Sequence, residues 1–121
     1  MRAEMLTSIL RNLNGTSADI EACAVISIDG LMMAAQMPHG LDEDRVGAMS
    51  AAMLSLGERT AKELARGVME QVLVKGDKGY ILMTNASKDA VLTVVANANA
   101  RLGLIFFDVR KAADEIGKVL V

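Results

Sequence analysis

Aromatic side chains are nearly missing from this chain: Tyr80, Phe106 and Phe107 are the only ones among 121 residues, and there is no tryptophan. Surfaces that stack bases or sugar rings need such planes, so that class of binding is excluded. Basic residues are not in excess either. Thirteen Lys and Arg stand against fifteen Asp and Glu with no basic run anywhere, so the electrostatic footprint of a nucleic-acid partner is lacking. The single cysteine, Cys23, lies inside an apolar run, where a thiol is a small buried hydrophobe. It offers neither a disulfide nor a metal site, and a reducing, cytoplasmic setting is expected. Residues Met1 to Leu6 are interrupted by Arg2 and Glu4, and no segment reaches the ~18 uninterrupted apolar residues of a membrane span. Secretion and membrane insertion are therefore not expected.

Reacting groups are equally scarce. His39, the only histidine, follows the only proline, Pro38, in a loop with no cysteine beside it, and is expected to be a plain loop residue. Gly76-Asp77-Lys78-Gly79 has no Gly-Lys-Ser/Thr ending and no helix opens after it, so it is a turn rather than a phosphate loop. Asp42, Glu43 and Asp44 suit the start of a helix, where Asp42 caps and the next two complement the dipole, better than the ligand spacing of a metal site. No catalytic, cofactor-binding or metal-ligating residue is predicted.

What the chain does hold in quantity is aliphatic: 52% of it is hydrophobic, with nine methionines. A length of 121 residues makes one domain, 1–121, able to bury about two-thirds of its extended surface. Met5, Leu6, Ile9, Leu10 and Leu13 recur at helical spacing up to Asn14-Gly15, a left-handed stop. Ala22 to Ile28 is apolar at both parities, which suits a central strand. Asp29-Gly30 supplies positive φ for a tight hairpin, and Leu31 to Gln36 return beside it. After the helix from Asp42 to about Arg66, Val68–Lys75, Tyr80–Asn85 and Ala90–Ala96 form a meander. Its last strand is apolar on both faces, and its first, which mixes in Glu70, Gln71 and Lys75, belongs at an edge. Asn97 to Asn99 can cap a final helix carrying Leu102, Ile105, Phe106, Val109, Ala112, Ala113, Ile116 and Leu120. The fold class is thus α+β: an α-β-β-α-β-β-β-α order, with a five-stranded antiparallel sheet covered by helices on both faces. Its edges are Leu31–Gln36 and Val68–Lys75.

The central helix is the unusual element, because Val46 to Gly57 contains no charge. At 100° per residue Val46, Met49, Met53, Leu56, Thr60 and Leu64 form a stripe about 80° wide, expected to face the core. The other side offers Ala48, Ala51, Ala52 and Ser55 before Glu58, Arg59 and Lys62 restore polarity. A helix apolar or small nearly all round is covered twice, most simply by a second copy of itself. The competing reading is an ordinary core helix whose alanines serve helix propensity.

Ile28-Asp29-Gly30-Leu31, the small-residue helix, the Gly-centred turn before Tyr80-Ile81-Leu82, and Ala98-Asn99-Ala100-Arg101-Leu102-Gly103-Leu104-Ile105 leading into Arg110-Lys111-Ala112-Ala113-Asp114-Glu115-Ile116 resemble the Roadblock family. That family includes roadblock-type dynein light chains and prokaryotic relatives of the GTPase regulator MglB. The resemblance spans nearly the whole chain and implies a non-enzymatic homodimer, with central helices side by side and a ten-stranded sheet continuous across the two-fold. It also implies a small Ras-like GTPase as partner on the helical platform. The dimer interface expected on this basis includes Ala48, Ala51, Ala52 and Ser55 of the helix and Val68, Glu70, Val72 and Val74 of the strand after it. The partner would meet Glu58, Arg59 and Lys62. Arg45 and Arg59 are exposed cations there, since the family's activity does not require an arginine finger. A scaffold or light-chain-type adaptor role is the alternative, and small-molecule sensing a weaker third.

Overall fold

The computed structural model describes residues 2–38 and 40–120. His39 lies outside them. The elements are α1 (Arg2–Thr16), β1 (Ile20–Ser27), β2 (Met32–Gln36), α2 (Glu43–Glu63), β3 (Gln71–Gly76), β4 (Gly79–Ser87), β5 (Ala90–Asn97) and α3 (Leu102–Leu120). The sheet is antiparallel throughout, in the order β2-β1-β5-β4-β3. The two strands apolar at both parities are therefore central neighbours, and the edges are the two expected from sequence.

Side-chain alternation divides the core into two layers. Cys23 and Val25 of β1, Leu82 of β4, and Leu92 and Val94 of β5 meet Leu6, Leu10 and Leu13 of α1 and Ile105, Val109, Ala112, Ala113 and Ile116 of α3. The opposite face presents Ala24, Ile26, Met83 and Val91 to Leu54 of α2 and to Met69. α1 and α3 thus cover one face, and α2 alone covers the other.

Several local expectations are corrected. Asn14-Gly15 do not stop α1, which runs on to Thr16: Leu13 is buried against the sheet and holds the last turn in place, and the Thr16 hydroxyl donates to the Leu13 carbonyl at 2.8 Å. In the β1–β2 loop only Gly30 has positive φ (88°). The Gly30 N–H donates to Ser27 O and the Ser27 N–H to Leu31 O, each at 2.9 Å, so the loop is three residues long, not two. α2 ends at Glu63 with Leu64 as its C-cap, earlier than expected, in a Schellman pattern: Arg66 N–H donates to Ala61 O at 2.7 Å and Ala65 N–H to Lys62 O at 3.1 Å. Ala65, at φ 57°, occupies the left-handed position that glycine fills more easily. Asn97 does not cap α3, since its side chain accepts from Asn99 N–H three residues before the helix opens.

β3 also starts later than expected, at Gln71. Val68, Met69 and Glu70 precede the ladder. Met69 is drawn down onto α2, and side chains of β4 bind this segment's carbonyls: Asn85 Nδ2 donates to Met69 O at 3.1 Å and Thr84 Oγ1 to Glu70 O at 2.9 Å.

Candidate functional site

α2 starts where Asp42 caps it, its carboxylate accepting from the backbone N–H of Asp44 and Arg45. From there it crosses the sheet from the β1–β2 loop to β3. The face it turns to the sheet is only in part the one its large residues predicted: Val46 and Met53 of that stripe are half-buried against the core, but its other members are not. Gly47, Ser50 and Leu54 are buried, while Met49, Leu56 and Leu64 are 59, 57 and 66% exposed and Thr60 is exposed too. The sheet-facing line is Gly47, Ser50, Leu54, Gly57 and Ala61, roughly 80–100° round the helix from the Val46–Leu64 stripe.

The reason is distance. A Cβ at Gly47 would run into the carbonyl oxygen of Gly30, and one at Gly57 would stand 2.7 Å from Met69 Sδ and 2.8 Å from Val72 Cγ2. At these two points the helix lies so close that only small residues fit beneath it, and Leu54 fills the space between them. Between them the Thr93 hydroxyl donates to Ser50 Oγ at 2.9 Å, a fully buried polar pair that sets where the helix rests along β5.

The large side chains displaced from the sheet join others. Met49, Leu56 and Leu64 of α2, Val68 after it (87% exposed), Val74 of β3 and Ile81 of β4 account for six of the thirteen exposed large hydrophobics among the described residues; Leu73, paired with Leu82, is exposed on the opposite face of the sheet. Val74 pairs with Ile81 and Ile81 with Val95 on the α2 face, beyond the part of the sheet that α2 covers. Beside them an open hollow is lined by Val74, Gly76, Lys78, Tyr80, Ile81 and Val95. β3 itself is exposed along nearly all its length, with only Val72 half-buried.

Of the interface residues expected from sequence, Ala48, Ala52 and Ser55 lie on the exposed side of α2, and Val68, Glu70 and Val74 are exposed. Val72 is half-buried against Gly57. Ala51 is half-buried as well and leans on the β1–β2 loop, its Cβ close to Gly30, so part of its surface is already used within the protomer. Glu58, Arg59 and Lys62 are all exposed, and Arg59 reaches Glu63 at 3.7 Å with both side chains about three-quarters in solvent. Such a pair contributes little to stability. Sequence reasoning missed Met49, Leu56, Leu64 and Ile81. The signal for the first three was a second stripe, Gly47-Ser50-Leu54-Gly57-Ala61, whose small members mark the side of closest approach.

Elsewhere the chemistry is quiet. Cys23 is buried, its thiol donating to Leu10 O at 3.5 Å, and burial pushes it up to about 12 from 9.0. Among the described residues no group of three His, Cys, Asp or Glu is placed to hold a metal ion, and no helix is long and apolar enough to cross a membrane.

Comparison with known proteins agrees with this architecture. An uncharacterized protein of Methanocaldococcus jannaschii, MJ0310, is 38% identical over 112 residues, covering 93% of this chain and 96% of its own. The structure of Myxococcus xanthus MglB superposes with a TM-score of 0.90 at 18% identity, covering 98% of this chain and 89% of that one. A Roadblock/LC7 domain from Streptomyces avermitilis superposes at 0.86 with 21% identity, covering 94% and 96%. The Roadblock/LC7 domain model matches residues 6–96, three-quarters of the sequence, and the chain belongs to that family.

Proposed function

We propose that this chain, one Roadblock-type domain over residues 1–121, is a non-enzymatic, cytoplasmic homodimeric module that binds and regulates a small Ras-like GTPase. The observation that carries the dimer is the continuity of exposed apolar surface from the outer flank of α2, through Val68, onto the bare edge strand β3 and its neighbour Ile81. A long unpaired edge beside an apolar patch invites association. An antiparallel pairing of β3 with its copy sets the start of one strand beside the end of the other. The Leu64–Val68 segment of each protomer then comes over the Val74–Ile81–Val95 floor of its partner. The two α2 helices meet along Met49, Ala52 and Leu56.

The GTPase reading rests on family membership and on the likeness to MglB. In it, Glu58, Arg59 and Lys62 at the polar end of α2 face the partner. A binding protein shifts a nucleotide cycle only as far as it prefers one state, and a tenfold preference corresponds to ~1.4 kcal/mol. Leu56→Glu is expected to give monomers in sedimentation, because a carboxylate in that contact loses its water without gaining a partner, whereas an unchanged dimer places the interface elsewhere. Calorimetry against a Ras-like GTPase loaded with GDP and then with a GTP analogue tests the second part. Unequal affinities that weaken on reversing Arg59 and Lys62 support regulation; equal affinities identify an adaptor.

A further inference from the structure

α2 is longer than the sheet it lies on. Ser50 is bonded to Thr93 of β5 and Gly57 sits against Val72 of β3, and these two strand residues stand in one cross-strand row, Thr93 beside Met83 beside Val72. The seven residues from Ser50 to Gly57 rise about 10 Å, the width of the two strand spacings from β5 to β3, so α2 runs across the strands along that row. β3 is the last strand of the sheet, yet the helix continues to Glu63 with Leu64 as its C-cap. Leu64 therefore projects about 10 Å beyond the last strand of its own protomer, which leaves it 66% exposed. The chain turns there, with Ala65 and Gly67 at positive φ, and comes back to set Met69 against Gly57.

A second row on the same face matches that overhang. Val74, Ile81 and Val95 are aligned across β3, β4 and β5, two residues along from the row under α2, and the row ends on β1 at Ala22 and the exposed Glu21 beside it, which lines the open hollow with them. Residues directly opposite in a ladder share a face, so self-pairing of β3 sets α2-face residues against α2-face residues. With Val72 opposite its own copy both helices would occupy one row, and with Val74 opposite its own copy the helix rows would lie about 14 Å apart. With Leu73 on the two-fold, Val72 faces the partner's Val74 and the helix rows are about 7 Å apart, nearest to the 8–10 Å of packed helices. The row under α2 then runs on into the partner's open row. Leu64 comes down at the partner's Ile81, two strand spacings past β3, and the long side chain of Arg66 reaches on toward the partner's Glu21. The charges agree: the hollow carries Glu21, Asp77 and Lys78, a net −1, and residues 64–68 carry Arg66 alone. Among the described residues Glu21 has no cation within 4 Å, and Arg66 Nε donates to Leu64 O at 3.1 Å, which leaves both Nη groups for a partner. Resting on the β3 pairing proposed above, we infer that each Glu21 receives the Arg66 of the second copy. The two symmetric ion pairs fix the register of the dimer and discriminate against chains of the same fold that lack them.

The test is a charge exchange in the full chain, read by sedimentation equilibrium at low salt. Glu21→Arg and Arg66→Glu are each expected to raise the dimer dissociation constant about tenfold or more, because like charges then face each other at both symmetric sites. An equimolar mixture of the two variants restores both opposite-charge pairs and should associate as tightly as the wild type, as a one-to-one heterodimer. The chain carrying both substitutions should likewise recover the wild-type homodimer. A wild type that stays monomeric at every concentration removes the β3 pairing and this inference with it. A wild-type dimer that neither single variant weakens, a mixture no tighter than its components, or a double variant as weak as the singles overturns the Glu21–Arg66 contact and leaves the β3 pairing standing.

Discussion

Gly47→Ala tests the close seating of α2 directly. In an open helix interior the change stabilises by about 0.8–1.0 kcal/mol, since alanine is the better helix former. At Gly47 the new methyl group meets the Gly30 carbonyl oxygen instead of solvent. That oxygen cannot swing aside: its loop is closed by the two Ser27 bonds and tied to the β4–β5 turn by Ile28 N–H donating to Asp89 O at 3.1 Å. Overpacking against a fixed neighbour costs about 1–3 kcal/mol, so the net result is a loss of up to about 2 kcal/mol. Gly103→Ala in the first turn of α3 is the control for the added methyl group, because nothing lies within 4 Å of its Cβ and a helix preference of at most the interior value remains. The same chemical change should thus have opposite signs at the two sites. At roughly 4 °C per kcal/mol the melting temperatures should differ by on the order of 10 °C. Calorimetric scans at one fixed protein concentration measure this without interference from association. A Gly47→Ala variant melting at or above the wild type would refute the close approach.

Ser50→Ala should destabilise by about 1–3 kcal/mol by stranding the Thr93 hydroxyl, while adding Thr93→Val should cost less than the sum of the singles; strictly additive denaturation free energies would mean that the two hydroxyls are not paired. Because burial raises the Cys23 thiol to about 12 from 9.0, its neutral form is favoured in the folded state. Its contribution is therefore intact below pH 9 and lost as pH climbs through 12, so stability should fall more steeply above pH 9 in the wild type than in Cys23→Ala. Parallel pH slopes in the two proteins would contradict that burial.

Sequence pattern carried the sheet further than the helix upon it. Strands apolar at both parities have to lie between covered neighbours, so Val25 and Val94 announced the centre of the sheet, and Glu70, Gln71 and Lys75 within Val68–Lys75 its edge. For α2 the same reasoning misplaced the core side. Periodicity weighs large apolar residues and is blind to how near the helix axis lies to the sheet. Here that separation is so small that Gly47, Ser50 and Gly57 face inward, and Met49, Leu56 and Leu64 are left outside. The start of β3 was illegible for another reason: Asn85 and Thr84 hold Met69 and Glu70 off the ladder, and such long-range side-chain bonds leave no local signal.

The seating of α2 also bears on how it moves. Within one protomer α2 buries one large side chain completely, Leu54, where α3 buries Ile105, Val109 and Ile116 and α1 three leucines. Two interior glycines further lower its intrinsic helicity, by about 1 kcal/mol each relative to alanine. α2 is therefore the helix that opens at least cost in a lone protomer. Pairing as proposed would cover Met49, Leu56 and Leu64, which are still more than half exposed. Complete burial of such side chains is worth about 1.5–3 kcal/mol each, so covering the exposed part of all three adds about 3–5 kcal/mol to the stability of α2. Exchange of α2 amides in Met49–Thr60 should then slow steeply as protein concentration rises through the dimerisation range, while that of Val109–Ile116 in α3 should change little. Equal concentration dependence in the two helices would mean that association acts on the whole fold, and none in either would remove α2 from the interface.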